Sequence, residues 1–130
     1  MDEESVKNSG SILLVEDDSF LARVLDERLR QEGYEVTICR NGKEGLEVAK
    51  RATHDLALLD VILPELDGIS ILREIKSDEN LASLEVIVLS NVSDPDKIKE
   101  VKSLGADYYV KSATELSEIV EKIQEKLQMP

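Results

Sequence analysis

Five polar residues at separated positions of the sequence are of types that could together transfer a phosphoryl group. They are two adjacent acids, a third carboxylate, a hydroxyl and an ammonium group: Glu16, Asp17, Asp60, Ser90 and Lys111. Crowded carboxylates repel one another and need a counter-ion, and oxygen ligands suit Mg²⁺, which often shares its coordination with a phosphate. Such an ion would make Asp60 a usable nucleophile towards phosphorus, while a lysine and a hydroxyl would hold the oxygens of the group in transfer.

Each of these residues lies one or two positions after the end of a predicted strand. Short apolar runs alternate five times with longer amphipathic runs, which predicts strands at 12–15, 34–39, 56–59, 86–89 and 108–110. Helices are predicted at 19–33, 43–51, 69–76, 95–104 and 116–127, the last with Thr114 as its N-cap. Because parallel strands need right-handed crossovers, the pattern predicts an α/β fold, a doubly wound five-stranded parallel sheet with helices on both faces.

The predicted sheet would bring these distant residues into one cleft. In an open parallel sheet, ligands collect at the carboxyl ends of the strands, near the point where strand order reverses. Taken singly, the signals are weak, because an aspartate after a strand is commonly a turn or capping residue. All of them fall at successive strand ends, which chance explains poorly, and we therefore predict a single site at this edge.

Composition argues against several classes of function. The formal net charge is −12, aromatic residues make up 3% and tryptophan is absent, which disfavours direct nucleic-acid binding. No apolar run approaches the roughly 18 residues of a membrane span, and residues 1–10 lack the apolar segment of a signal peptide. We expect a cytoplasmic protein without membrane contact, with a flexible tail at residues 1–10 and one domain at residues 11–128.

One combined motif runs through the strand ends and the loops after them. It consists of Leu14, Val15, Glu16 and Asp17, then Leu58 to Pro64, Asp67 and Gly68, then Ser90, Gly105, Ala106 and Lys111. This motif resembles that of bacterial response-regulator receiver domains over nearly the whole chain. The resemblance implies a flavodoxin-like sheet of strand order 2-1-3-4-5, and a phosphoryl group taken up on Asp60 from the phosphohistidine of a histidine kinase or phosphotransfer protein.

The resemblance also implies roles for the neighbouring residues. Mg²⁺ would be held by Glu16, Asp17 and Asp60 with the backbone carbonyl of Ile62. Lys111 would contact the phosphoryl group, the Ser90 hydroxyl would move towards it, and Tyr108 would rotate with the switch. The chain is then expected to be no enzyme, apart from assisting its own phosphorylation and dephosphorylation. Output would pass to a downstream protein target or an output domain, and a phosphorylation-dependent homodimer is allowed.

Two departures from the family pattern affect the loops of the site. Ser112 follows Lys111 where the family usually has proline after a cis bond; before a non-proline residue cis costs about 2.5–4 kcal/mol, so we predict a trans bond and a reshaped loop. Asn91 follows Ser90 where small residues are usual, and it is expected to narrow access to Asp60. By resemblance, Ile62 and Val92 flank the path of an attacking water, and because both are apolar we expect slow self-dephosphorylation.

Two other interpretations stay open at this stage. A degenerate receiver would bind partners without phosphorylation, although the intact Asp60, Lys111 and acidic pair argue against it. A phosphatase of the haloacid dehalogenase type also uses an aspartate nucleophile at a strand end. That class needs a second aspartate two residues further on, where this chain has Ile62.

Overall fold

The computed structural model describes residues 9–128. Strands and helices alternate along the chain as β1 (Ser11–Val15), α1 (Ser19–Gln31), β2 (Glu35–Cys39), α2 (Gly42–Ala49), β3 (Leu56–Leu59), α3 (Gly68–Ser77), β4 (Glu85–Ser90), α4 (Pro95–Ser103), β5 (Asp107–Val110) and α5 (Leu116–Gln128). Short 3-10 turns lie at Glu79–Leu81 and Lys111–Ala113. The predicted strands and helices are confirmed in kind and order, whereas the periodicity does not indicate the two 3-10 turns.

The five strands form one parallel sheet in the order β2-β1-β3-β4-β5. β1 pairs with β2 on one side and with β3 on the other, so strand order reverses at the carboxyl ends of β1 and β3. The predicted α/β fold and its strand order are therefore confirmed. The last paired residues of β1 and β3 are Val15 and Leu59, which places Glu16 and Asp60 on neighbouring strand ends.

Each face of the sheet carries its own hydrophobic core. Leu13 and Val15 of β1 pack with α2, α3 and α4, while the intervening Ile12 and Leu14 pack with α1 and α5. Because both faces are covered, the inner strands are apolar at almost every position, as is typical of parallel sheets. The two cores hold the ends of the inner strands in place, and the polar residues that follow those strands are positioned with them.

The segment after β5 contains one wrong prediction and one confirmed prediction. Thr114 is the predicted N-cap of α5, but the helix begins at Leu116, and the Ile119 amide donates to the carbonyl of Glu115. Thr114 instead follows the 3-10 turn with extended backbone (φ −116°, ψ 127°), because that turn occupies the residues directly before it. The described residues contain no cis peptide bond, which confirms the trans bond that Ser112 predicts.

The expected tail at residues 1–10 lies outside the described residues for its first eight positions. Gly10 is described, and its carbonyl accepts a hydrogen bond from the amide of Glu35 (3.0 Å). Among the helices of residues 9–128, none has the length and apolar character needed to cross a bilayer.

Candidate functional site

Asp60 is positioned by the strand before it and by the helix after it. Its amide donates to the Val15 carbonyl (3.1 Å), its side chain is buried, and its Oδ1 accepts from the Ile62 amide (3.3 Å). The first residue of α3 abuts the same backbone, since the Gly68 amide donates to the Val61 carbonyl (2.8 Å). A Cβ at Gly68 would lie only 2.0 Å from the carbonyl oxygen of Asp60. Glycine is therefore required for α3 to start this close to the aspartate.

The two acidic residues after β1, Glu16 and Asp17, differ in burial and in hydrogen bonding. Glu16 is only 2% exposed, and its Oε2 accepts from the Asp18 amide (3.1 Å), whereas Asp17 is exposed. One carboxylate oxygen from each of Glu16, Asp17 and Asp60 lies within 4.8 Å of the others, so the three could share one cation. A donor set made only of carboxylate oxygens fits a hard ion such as Mg²⁺ better than metals that favour nitrogen or sulfur.

Lys111 contacts two of these three carboxylates. Its Nζ lies 2.7 Å from Asp60 Oδ2 and 3.0 Å from Glu16 Oε1. Burial by itself would lower the pKa of Lys111, but the hydrogen bonds with Asp60 and Glu16 outweigh burial and raise that pKa. Burial raises the pKa of Glu16, the charge of Asp60 adds to this, and the bonds from Lys111 and Asp18 offset it only in part. Both Glu16 oxygens are engaged, so a metal ion would reach Glu16 through water or displace Lys111.

Ser90 and Tyr108 are hydrogen-bonded to each other on β4 and β5, the strands that follow β3 in the sheet. Ser90 is fully buried, and its Oγ accepts from the amide of Val92 (3.4 Å). The Tyr108 hydroxyl shares its single proton between the carbonyl oxygens of Ser90 (3.0 Å) and Val92. Within the described residues, the Ser90 hydroxyl makes no hydrogen bond to Asp60 or Lys111. The structure thus brings Glu16, Asp17, Asp60 and Lys111 together, and it leaves the Ser90 hydroxyl bonded to its own loop.

Asn91 and Ser112, which both depart from the family pattern, contact each other. The Ser112 amide donates to Asn91 Oδ1 (2.8 Å), which links the β4–α4 loop to the 3-10 turn after β5. Sequence reasoning considers these two positions separately and misses the contact. The signal in the sequence was a residue with an amide proton after Lys111 together with a carboxamide side chain after Ser90. Of the two other residues predicted to affect hydrolysis, Ile62 is 67% exposed, and Val92 is half-buried against the core.

Arg40 is a second contributor that sequence reasoning misses. It follows β2, and its guanidinium donates from Nε to the Glu16 carbonyl (3.1 Å) and from Nη2 to the Asp17 carbonyl (2.9 Å). The signal in the sequence is faint, because nothing but its place after a strand next to β1 sets Arg40 apart from other exposed arginines. The acidic pair is therefore supported by Arg40 after β2 as well as by Lys111 after β5.

Comparison with known proteins identifies the family. A family model described as a response regulator receiver domain matches residues 12–124. Because the match spans most of the chain and the parallel sheet has the expected strand order, this protein belongs to the response-regulator receiver domain family of two-component signal transduction.

Relatives and solved structures agree with that assignment. YkoG of Bacillus subtilis, named an uncharacterized transcriptional regulatory protein, is 39% identical over 118 residues, which are 91% of this chain and 51% of that protein. The response regulator ArlR of Staphylococcus saprophyticus is 37% identical over 117 residues, 89% of this chain and 51% of that protein. The chain spans about half the length of these two relatives, which are named as regulators and not as enzymes.

Two solved structures show how closely the fold is shared. A CheY-like response regulator receiver domain protein from Methanospirillum hungatei superposes with a TM-score of 0.82 at 29% identity, covering 92% of this chain and 94% of that chain. A putative response regulator from Chloroflexus aurantiacus gives a TM-score of 0.83 at 28% identity, covering 94% of this chain and 100% of that chain. The likeness extends over nearly all of the chain and is not confined to the site.

Proposed function

We propose that residues 11–128 form a receiver domain that accepts a phosphoryl group on Asp60 from a phosphohistidine donor in a magnesium-dependent reaction. The observation that carries the proposal is the position of Lys111, whose Nζ contacts Asp60 and Glu16 (2.7 and 3.0 Å) beside a third carboxylate. Three carboxylates and one ammonium group leave two negative charges, which one Mg²⁺ would balance. A purely structural ion pair has no need of this excess of acid.

The residues that would hold the ion are Glu16, Asp17 and Asp60, together with the backbone carbonyl of Ile62. When bound, Mg²⁺ would offset the charge of Asp60 and of the incoming phosphoryl group, so that two anions can approach each other. Glu16 would act through water as long as Lys111 keeps its contact with Oε1. The exposed Asp17 would be free to bind the ion directly.

In the transfer step, a carboxylate oxygen of Asp60 forms the new bond to phosphorus. The P–N bond of the donor breaks at the same time, and its electron pair returns to the imidazole of the donor. The Ile62 amide holds Asp60 Oδ1 in place, which leaves the carboxylate oriented for attack. Lys111 lies next to Oδ2, so it can donate to an oxygen of the transferred group without a large movement.

The switch would act through the loop that Ser90 begins. A phosphoryl group on Asp60 brings new negative charge and acceptor oxygens, which attract the Ser90 hydroxyl away from the Val92 amide. The Tyr108 hydroxyl is hydrogen-bonded to the carbonyls of Ser90 and Val92. A shift of this loop must therefore change the hydrogen bonds that fix the Tyr108 side chain. Tyr108 lies on β5 beside α4, and its rotation would change the surface there that partners contact.

The partners follow from the family. The input is a histidine kinase or phosphotransfer protein, and the output is a downstream protein target or an output domain, with a phosphorylation-dependent homodimer as one form of output. The named relatives are transcriptional regulators and response regulators, which supports a signalling role, and we propose that this role is carried out in the cytoplasm. The chain itself, with a net charge of −12, is not expected to bind nucleic acid directly.

The phosphorylated state should be long-lived. Hydrolysis needs a water in line with the bond to Asp60, and the apolar Ile62 and Val92 offer that water no hydrogen bond. Asn91 is expected to narrow the same approach. Its Oδ1 accepts from the Ser112 amide, which holds the Asn91 side chain beside the turn after β5.

Phosphorylation with a small acyl phosphate tests the proposed function. In Mg²⁺ buffer, the intact mass should rise by one phosphoryl group, and Asp60→Asn should abolish the gain. Asp67→Asn is the matched control, because Asp67 is an exposed acid that caps α3 in the neighbouring loop and asparagine also caps helices. Continuous turnover without stable labelling would indicate a phosphatase, no labelling would indicate a degenerate receiver, and labelling of Asp60→Asn would remove Asp60 as the acceptor.

A further inference from the structure

Arg40 directly follows β2, and its side chain turns back to the loop that carries the acidic pair. Its Nε and Nη2 donate to the carbonyl oxygens of Glu16 (3.1 Å) and Asp17 (2.9 Å). The main-chain pairing of β1 with β2 ends with the Glu16 amide on the Cys39 carbonyl (3.0 Å). The guanidinium therefore continues this pairing beyond the strands with two donors set in a rigid plane.

The three carboxylates of the proposed metal site are not held equally well. Glu16 and Asp60 are buried, and hydrogen bonds hold both of their side chains. The Asp17 carboxylate is exposed, and in the described part of the chain it has neither a hydrogen bond nor an ion pair. No side-chain contact fixes its oxygens, so the main chain of Asp17, whose carbonyl is bonded to Arg40, sets the region that they can reach.

We infer that Arg40 is a positioning residue for magnesium. By holding the main chain of Glu16 and Asp17, it keeps the Asp17 carboxylate within reach of an ion that also contacts Asp60. The inference rests on the proposed function and deepens it. The guanidinium is bonded to carbonyl oxygens, so it does not compete with the ion for carboxylate oxygens, as Lys111 does.

Arg40 would affect the magnesium affinity in two ways that have opposite signs, and this makes the inference testable. Its positive charge repels a cation, so loss of the charge alone would tighten magnesium binding slightly. Loss of its two hydrogen bonds would free the loop and weaken binding. Arg23 separates the two effects, because it borders the same surface depression as Arg40 and has no ion pair or side-chain hydrogen bond within residues 9–128.

Titration calorimetry with MgCl₂ on four proteins is the test. We expect Arg40→Met to bind Mg²⁺ about three- to tenfold more weakly than wild type. This is only a fraction of the free energy of two charge-assisted hydrogen bonds, because the bonds are present with and without the ion and their loss affects binding only through the need to order the freed loop. Arg40→Lys keeps the charge but presents a single ammonium group. Its magnesium affinity should lie between those of wild type and Arg40→Met. Arg23→Met removes the same charge and no bond, so its affinity should stay within about twofold of wild type, on the tighter side.

Melting temperatures without magnesium complete the experiment. A merely structural Arg40 would lower the melting temperature and leave the magnesium affinity of the folded protein unchanged, and that result would overturn the inference. Equal magnesium affinities of Arg40→Met and Arg23→Met would overturn it too. If Arg40→Met does not fold, Arg40→Lys takes its place with a smaller expected loss of magnesium affinity, and a wild-type affinity of Arg40→Lys would overturn the inference. A wild-type protein that binds no Mg²⁺ at millimolar concentrations would overturn the proposed function, and the inference with it.

Discussion

Removing the ammonium group of Lys111 should destabilise the metal-free protein and strengthen its magnesium binding. Lys111→Met keeps much of the side-chain length but leaves the side chains of Glu16 and Asp60, 3% and 7% exposed, without their cation. Removing one partner of a buried ion pair costs about 3–5 kcal/mol. The Lys111 side chain is 19% exposed, so water can enter the space, and we expect the lower end of that range at pH 7.5.

The loss should depend on pH in the direction set by Glu16. Burial raises the pKa of Glu16 in the wild type, and without Lys111 that pKa rises further. A carboxyl group whose pKa is higher in the folded than in the unfolded state destabilises the fold when it ionises. This cost is absent below the unfolded pKa, grows as the pH rises from the unfolded to the folded pKa, and is complete above the folded pKa. Lys111→Met should therefore recover much of the lost stability when the pH falls from 7.5 to 5.

Urea unfolding followed by circular dichroism at both pH values measures the effect. Lys122→Met is the control, because Lys122 pairs with Glu125 at an exposed place on α5 (3.6 Å) and should cost less than about 0.5 kcal/mol. Calorimetry on Lys111→Met should show tighter magnesium binding, since no ammonium group competes for Asp60 and Glu16. A variant as stable as wild type at pH 7.5, or one destabilised equally at both pH values, would refute the reasoning.

Three further predictions concern the surroundings of the site. Gly68→Ala should cost about 2–3 kcal/mol in urea unfolding, because a Cβ there meets the backbone of Asp60 at 2.0 Å and the backbone must shift. Ile62→Asn combined with Val92→Glu should speed the decay of purified phosphoprotein in Mg²⁺ buffer, and an unchanged decay rate would count against water orientation as the limiting step. Asn91→Leu should cost about 1 kcal/mol of stability through the lost bond from the Ser112 amide. In a Ser112→Pro background, which has no such amide proton, the same replacement should change little.

Much of the fold and part of the site could be predicted from the sequence alone. The apolar runs before Glu16, Asp60 and Ser90 are continuous because both faces of a parallel sheet are covered, and this pattern is visible without coordinates. Once the sheet is parallel, every strand ends at the same edge, so the polar residues after the strands have to converge there. The convergence of Glu16, Asp17, Asp60 and Lys111 was therefore predictable in outline.

Only the tertiary structure decided which atoms meet. Lys111 Nζ lies between Asp60 and Glu16, and this depends on how the turn after β5 leaves the sheet, which no local pattern encodes. Arg40 reaches the Glu16 carbonyl 24 residues away, and Asn91 reaches the Ser112 amide 21 residues away. Such contacts join side chains to main-chain groups, which every residue carries, so the partner leaves no mark in the sequence. Residue types and periodicity therefore determined which groups share the edge, while the packing of strands and loops decided their bonds.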